Sequence, residues 1–311
     1  MVSERMRVVG RSLGVAFKGR QWGRGDSVAG GRGLRTEWVN DSVGVCVVNL
    51  ARRHASGSVG SSSTPTSGKS WYREHKKAVV LLSGGLDSAT TLALAKRKSG
   101  FDCYSLGFDY GQRHKYELVA AEKVAKSIGV KDHRVIKIDL RAFGGSALTS
   151  DTLDVPKDRD EAVLASEIPR TYVPARNIIF LSYALAYAET IGSNDIFIGT
   201  NVVDYSGYPD CRQQFFDAFT KMARLGTRAG IEGDELRVHT PIMNLAKADI
   251  IRAGITYDVD FSITHSCYDP DQESGRPCEH CDPCLIRKRA FSELGFEIDP
   301  ALVKYKNADT A

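Results

Sequence analysis

From residue 76 onward, short apolar runs alternate with segments of helical period. Ala78–Leu82 reads as a buried strand, Asp102–Phe108 as a second strand, His133–Ile138 as a third, Asp195–Gly199 as a fourth and Val238–Pro241 as a fifth. Between them lie Asp87–Lys98, Lys115–Ile128, Arg176–Ile191, Cys211–Leu225 and Ala246–Ala253, which read as helices. In Lys115–Ile128 the apolar positions Leu118, Val119, Val124 and Ile128 predict the packed face. Strands that alternate with helices predict an α/β fold, a doubly wound parallel sheet. Such sheets bind ligands beyond the carboxyl ends of their strands. Three polar loops fall there: Ser83–Ser88, Asp109–His114 and Thr200–Asp204. An irregular stretch, Arg141 to Tyr172, carries the charged run Lys157-Asp-Arg-Asp-Glu161.

Residues 1–75 break this rhythm. They are rich in Gly, Arg, Ser and Val and show neither period. Residues 55–68 have a flexible linker's composition. The expected organisation is therefore a disordered basic extension at 1–75, an α/β domain at 76–262 and a C-terminal region at 263–311. For the extension, a disordered tail, an organelle transit peptide and upstream sequence read from too early a start codon all fit, the last best. The apolar run Val43–Leu50 stands isolated from any core. Residues 1–77 hold 14 Lys and Arg against 5 Asp and Glu, so the overall charge of +4 leaves the rest acidic. An acidic core argues against nucleic-acid binding. No apolar run approaches the ~20 residues of a membrane span. A cytoplasmic protein without a secretory signal is expected.

The first chemical signal is Leu82-Ser-Gly-Gly-Leu-Asp-Ser88. A strand, a glycine turn and a helix start bring bare N–H groups and a positive helix end to one point, which suits a phosphate. The order is not the Walker pattern, which places Lys-Ser/Thr after a longer loop. The plain alternative is a strand–turn–helix corner with Asp87 as cap. The second signal is Cys278-Glu-His-Cys-Asp-Pro-Cys284, with Cys267 upstream. Four thiolates at this spacing suit one structural zinc ion, and the spacing leaves an iron–sulfur cluster open. Disulfides do not suit a chain without a secretion signal, and a redox pair accounts for only two of the four. His280 reads as a surface residue and Cys103 as a core one.

The loop resembles the signature of the PP-loop ATP pyrophosphatases, which cleave ATP between the α- and β-phosphates. Residues Lys77 to Phe296 resemble the 7-cyano-7-deazaguanine synthase family. The resemblance rests on that loop, Tyr110-Gly-Gln-Arg-His114, Val173-Pro-Ala-Arg-Asn177, Gly207-Tyr-Pro-Asp-Cys-Arg212, Thr240-Pro241 with Lys247-Ala248, and Cys267-Tyr268 with the cysteine cluster. Two departures stand out. The spacer from Cys267 to Cys278 is a little long, and Glu279 takes a position where a small residue is expected.

The resemblance implies an adenine-nucleotide alpha-hydrolase-like PP-loop fold with a zinc-stapled C-terminal region. It implies that 7-carboxy-7-deazaguanine, ammonia and ATP give 7-cyano-7-deazaguanine through an adenylated acid and an adenylated amide. Residues 82–88 would hold ATP, with Asp87 as Mg²⁺ ligand, helix cap or both. Asp87, Ser88, Arg176 and Lys247 are the expected catalytic residues, and Asn177 competes as a helix cap. Arg113, Asn201, Asp204 and Asp210 are the candidates for substrate, with Phe108, Tyr110, Tyr205 and Tyr208 as stacking partners. Small molecules are the expected partners, with neither nucleic acid nor membrane, and a homodimer is plausible. The competing readings are a tRNA-modifying relative, either a lysidine-type ligase or a thiolase with Cys103 or Cys211 as nucleophile, and a zinc- or nucleotide-binding module.

Overall fold

A computed structural model describes residues 76–150, 152–159, 168–203 and 208–306. The 1–75 extension, Asp204 and Tyr205 lie outside the described residues. Five strands form one sheet: β1 (Lys77–Leu81), β2 (Asp102–Asp109), β3 (Asp132–Lys137), β4 (Asp195–Phe197) and β5 (Arg237–His239). Their order is β3-β2-β1-β4-β5 and every pairing is parallel. All five correspond to predicted strands, displaced by a residue or two at the ends.

The central strand β1 is apolar and buried from Ala78 to Leu81 because both faces of the sheet are covered there, whereas the edge strand β3 carries Asp132, His133, Arg134 and Lys137 and is half-exposed. Along β1 and just beyond it, Ala78, Val80 and Leu82 enter one core, while Val79 and Leu81 enter the other. Cys103 lies in the first core and is fully buried. Four helices pack on that side: α1 (Leu86–Ala93), α2 (Tyr116–Ile128), and two later helices that supply Ile250 with Ile251 and Ala290 with Phe291. The opposite face is covered by α3 (Arg176–Ile191) and α4 (Gln213–Gly226), through Leu181, Ala184, Phe216 and Phe219. The two later helices are α5 (Lys247–Thr256) and α6 (Asp282–Glu293). The chain runs on from α1 through a π-helical turn, Leu94–Lys98, and so reaches the end predicted for that helix.

Two details differ from the sequence pattern, in α2 and at the start of α4. The buried face of α2 is Ala120, Ala121, Val124, Ala125 and Ile128, and Val119 points outward. Small alanines let α2 lie close to the sheet, so the larger Val119 was a misleading marker. The helix expected from Cys211 begins at Gln213, after a 3-10 turn over Pro209–Cys211. The C-terminal region shares the first core through Ala290 and Phe291 and belongs to the same compact unit as the sheet. Among the described residues no helix is long and apolar enough to cross a membrane.

Because β1 lies between β2 and β4, connections leave it toward opposite sides of the sheet. A crevice opens at the carboxyl end of such a strand. Residues 82–88 leave β1 at that point.

Candidate active site

The crevice is a cavity of about 260 Å³, lined on one wall by Leu82, Ser83, Gly85, Leu86, Asp87 and Ser88. The loop is held in shape by its own hydroxyls. Ser88 Oγ accepts from Ser83 N at 3.2 Å and donates to Gly85 O at 3.0 Å, and the Ser83 and Ser88 hydroxyls meet at 3.1 Å. Gly84 has φ +88°. A Cβ there would lie 2.2 Å from Glu117 O and 2.5 Å from Ala121 N. The glycine is thus required by the backbone of α2 as well as by the turn.

Asp87 does not cap α1. The cap position is Gly85, and Asp87 sits in the first turn, where its charge favours the helix dipole. Lys247, at the start of α5, donates to Asp87 Oδ1 at 2.8 Å and to Oδ2 at 2.9 Å. Asn201 sets the loop before α5: its Nδ2 donates to Ile242 O at 3.2 Å and Leu245 O at 2.5 Å. Asp87, Lys247 and Asn201 all line the cavity.

Arg176 lines the opposite side, surrounded by Tyr110, Tyr208, Tyr268 and Asp210. It opens α3 immediately after Ala175, whose φ of +56° makes a sharp entry. Asn177 is not the cap. Its N–H donates to Asp210 Oδ2 at 3.2 Å and its Nδ2 to Asp210 O at 3.2 Å. Asp210 is buried, and its carboxylate satisfies the start of α3. Arg113 lies elsewhere, in a surface groove with Lys157 and Asp269, and donates to Leu153 O at 2.9 Å. Of the proposed stacking residues, Phe108, Tyr110 and Tyr208 line the cavity; Phe108 is already stacked on Phe180, with ring centroids 4.0 Å apart.

Several cavity residues gave no signal of their own in the sequence. Ser266 Oγ accepts from Leu86 N at 3.3 Å, and His265 N donates to Gly84 O at 2.9 Å. The segment before Cys267 therefore lies across the phosphate loop. Burial, and next His114, push the His265 imidazole down to about 3, so it is neutral. Arg287 of α6 supports this segment: Nη1 donates to Thr264 Oγ1 at 2.8 Å and Ser266 Oγ at 3.3 Å, and Nη2 to Asp299 Oδ1 at 3.0 Å. Glu117 also lines the cavity, and Gln112 Nε2 donates to its Oε1 at 3.0 Å. The only marker of Ser266 was its adjacency to Cys267.

The four cysteines do converge. Their sulfur atoms all lie within 4.8 Å of one another, and Cys267 and Cys281 are 3.9 Å apart. A tetrahedral ion with bonds of ~2.3 Å to sulfur needs sulfurs about 3.8 Å apart, so the set fits a four-thiolate metal. Backbone N–H groups point at the sulfurs, from Cys278 and Asp269 to Cys267 and from Tyr268 to Cys281. Such donors stabilise thiolates. His280 is exposed and meets Asp158 Oδ1 at 2.9 Å. Glu279 has φ +67°, the left-handed region, which is why a small residue suits that position. Cys103 and Cys211 are not activated: burial pushes both thiols up to about 12, which disfavours the nucleophile a thiolase needs.

The profile of the family described as queuosine biosynthesis protein QueC matches residues 77–295. The 7-cyano-7-deazaguanine synthase of Kineococcus radiotolerans is 59% identical over 220 residues, 71% of this chain and 95% of that protein. The protein of the same name from Myxococcus xanthus is 58% identical, again over 71% of this chain, and 94% of its own length is covered. Among solved structures, NMN synthetase from Francisella tularensis aligns with a TM-score of 0.39 at 18% identity, over 72% of this chain and 79% of that one.

Proposed function

The chain belongs to the queuosine biosynthesis protein QueC family, and from that footing we propose that it converts 7-carboxy-7-deazaguanine, ammonia and ATP into 7-cyano-7-deazaguanine. The observation that carries the reading is one cavity that joins a phosphate loop to a cationic and aromatic wall. ATP lies with its β- and γ-phosphates against residues 83–88, where the N–H groups at the start of α1 and the Ser83 and Ser88 hydroxyls meet them.

A carboxylate resists attack by ammonia because an oxide would have to leave. Transfer of AMP to that oxygen makes a good leaving group and releases pyrophosphate. Ammonia then displaces AMP and gives the amide. A second AMP transfer, to the amide oxygen, lets that oxygen leave as AMP and the nitrile form. Both rounds develop the same charge at the same place, so one loop serves both. Lys247 and Arg176 stabilise negative charge on the transferred phosphate from opposite walls. Asp87 would hold Mg²⁺, which balances the charge of pyrophosphate when bound. Asn201 and the aromatic wall of Tyr110 and Tyr208 are the residues assigned to the deazaguanine ring.

We assign zinc to the four cysteines, with no open position and a structural role. Its place is more than peripheral, because Cys267 follows the two residues that hold the phosphate loop. The described cysteines are all free, which suits a reducing, cytoplasmic setting. A homodimer is the expected assembly.

The test is incubation with ATP, ammonium and 7-carboxy-7-deazaguanine in the absence of RNA. Mass spectrometry is expected to find the nitrile. Turnover that appears only when tRNA is added would favour a tRNA-modifying enzyme instead.

A further inference from the structure

Glu117 is a carboxylate at the cavity with no role in the scheme above. Its backbone is pressed against the phosphate loop, since the space beside Gly84 is filled by Glu117 O. Its side chain is fixed from one side only. Gln112 Oε1 accepts from Tyr110 N at 2.7 Å, and its Nε2 donates to Phe108 O at 3.1 Å and to Glu117 Oε1 at 3.0 Å. The amide is thereby locked with its donor end toward Glu117. Among the described residues no hydrogen bond reaches the other oxygen, Oε2, and the residue lines the cavity together with Ser83, Gly85 and Arg176.

Resting on the proposed reaction, we infer that Glu117 is the general base that takes protons from the substrate nitrogen in both rounds. When ammonia attacks the acyl adenylate, a C–N bond forms and the nitrogen becomes positive. Glu117 takes one proton from it as the C–O bond to AMP breaks, and AMP leaves with the electron pair. In the second round the adenylated amide carries two protons on nitrogen. Glu117 takes them one at a time and passes each to water. The third C–N bond forms as the C–O bond breaks.

The alternative use of this carboxylate is to read the paired N–H donors of the ring. That needs two acceptor oxygens, and Gln112 already occupies one. It also needs a stable charge, whereas burial holds the Glu117 carboxyl up at about 7. Arg176 opposes this shift, and Gln112 does so more weakly. Tyr110 is the other titratable group acting with it. A base that exchanges protons near neutral pH suits the nitrogen chemistry better.

The test separates adenylation from nitrogen transfer in Glu117→Gln and Glu117→Asp. Pyrophosphate exchange into ATP, with 7-carboxy-7-deazaguanine and no ammonium, needs no base at nitrogen. In Glu117→Gln that exchange is expected within about threefold of wild type, while amide and nitrile formation fall about 10²–10⁴-fold. Glu117→Asp, which keeps a carboxylate, is expected to recover at least tenfold of the loss. Exchange that falls in parallel with amide formation would overturn the inference and make Glu117 a binding or structural residue. Near-normal nitrile formation in Glu117→Gln would overturn it equally. Absence of exchange in the wild-type protein would instead contradict the proposed reaction itself.

Discussion

Lys247 closes on both carboxylate oxygens of Asp87, at 2.8 and 2.9 Å, across 160 residues of chain. The pair joins the first turn of α1 to the first turn of α5 at the mouth of the phosphate loop. The Lys247 side chain is only 10% exposed and that of Asp87 28%. A helix cap would tolerate Asp87→Asn almost without cost. Here the substitution removes the charge that faces a half-buried ammonium, and a loss of about 1–3 kcal/mol in unfolding free energy is expected. Nitrile formation is expected to fall at least about 10²-fold. The double variant Asp87→Asn with Lys247→Met should regain stability in denaturant titration and none of the activity. A single variant with wild-type stability and turnover would show that the pair does neither job.

Gly84→Ala and Gly85→Ala separate two meanings of the double glycine. At Gly84 the added Cβ meets the α2 backbone at 2.2 Å and the residue has positive φ. At Gly85 the nearest atoms are 3.5 Å away, an ordinary contact. Gly84→Ala is expected to cost more than about 3 kcal/mol, because backbone must move and a left-handed residue is strained. Gly85→Ala is expected to cost less than about 1 kcal/mol and to act mainly on the KM for ATP. Equal melting temperatures for the two variants would contradict the close approach of α2.

Metal analysis is expected to return one zinc per chain. Cys281→Ser should release it, and it should lower both the melting temperature and the activity, because structural zinc contributes folding free energy. The activity loss follows from Ser266 and His265, which hold the phosphate loop and precede Cys267. Limited proteolysis should cut first near residues 265–280 in the metal-depleted protein. An iron–sulfur absorption band in the protein as isolated would refute zinc.

Burial holds the Glu117 carboxyl up at about 7, from an ordinary 4.5. The folded state therefore binds this proton more tightly than the unfolded chain does. The stability so gained is complete below the ordinary value and is lost as pH rises through about 7. Glu117→Gln abolishes that dependence. Its stability relative to wild type is expected to be greater at pH 8 than at pH 5, in denaturant titrations at both. A difference that does not change with pH would place Glu117 in a wetter setting than the cavity floor.

Much of the fold was legible because both faces of the sheet are buried at its centre, so the central strands show as short apolar runs between helical segments. Ala78 to Leu82 marks itself in this way, and the turn at Gly84 fixes where the loop must leave the sheet. The cysteine cluster was legible from spacing alone. What the sequence did not mark is long-range. Ser266 and Arg287 act through contacts with Leu86 and with Thr264 and Asp299, and neither belongs to a local motif. Asp210 accepts from the start of α3, a contact its turn did not mark, because a carboxylate in a turn looks the same in sequence whether it faces a substrate or a helix start. Glu117 sat unmarked in an amphipathic helix, because its distinction comes from the packing of Gly84 across the fold and from the orientation that Gln112 takes in the preceding loop.

In the proposed reaction one loop adenylates the same substrate twice. It is tested most directly with 7-carboxy-7-deazaguanine carrying ¹⁸O in both carboxylate oxygens. Two AMP are expected for every nitrile, each with one ¹⁸O, and none of the label in pyrophosphate. Formation of ADP, or label recovered in inorganic phosphate or in water, would contradict it.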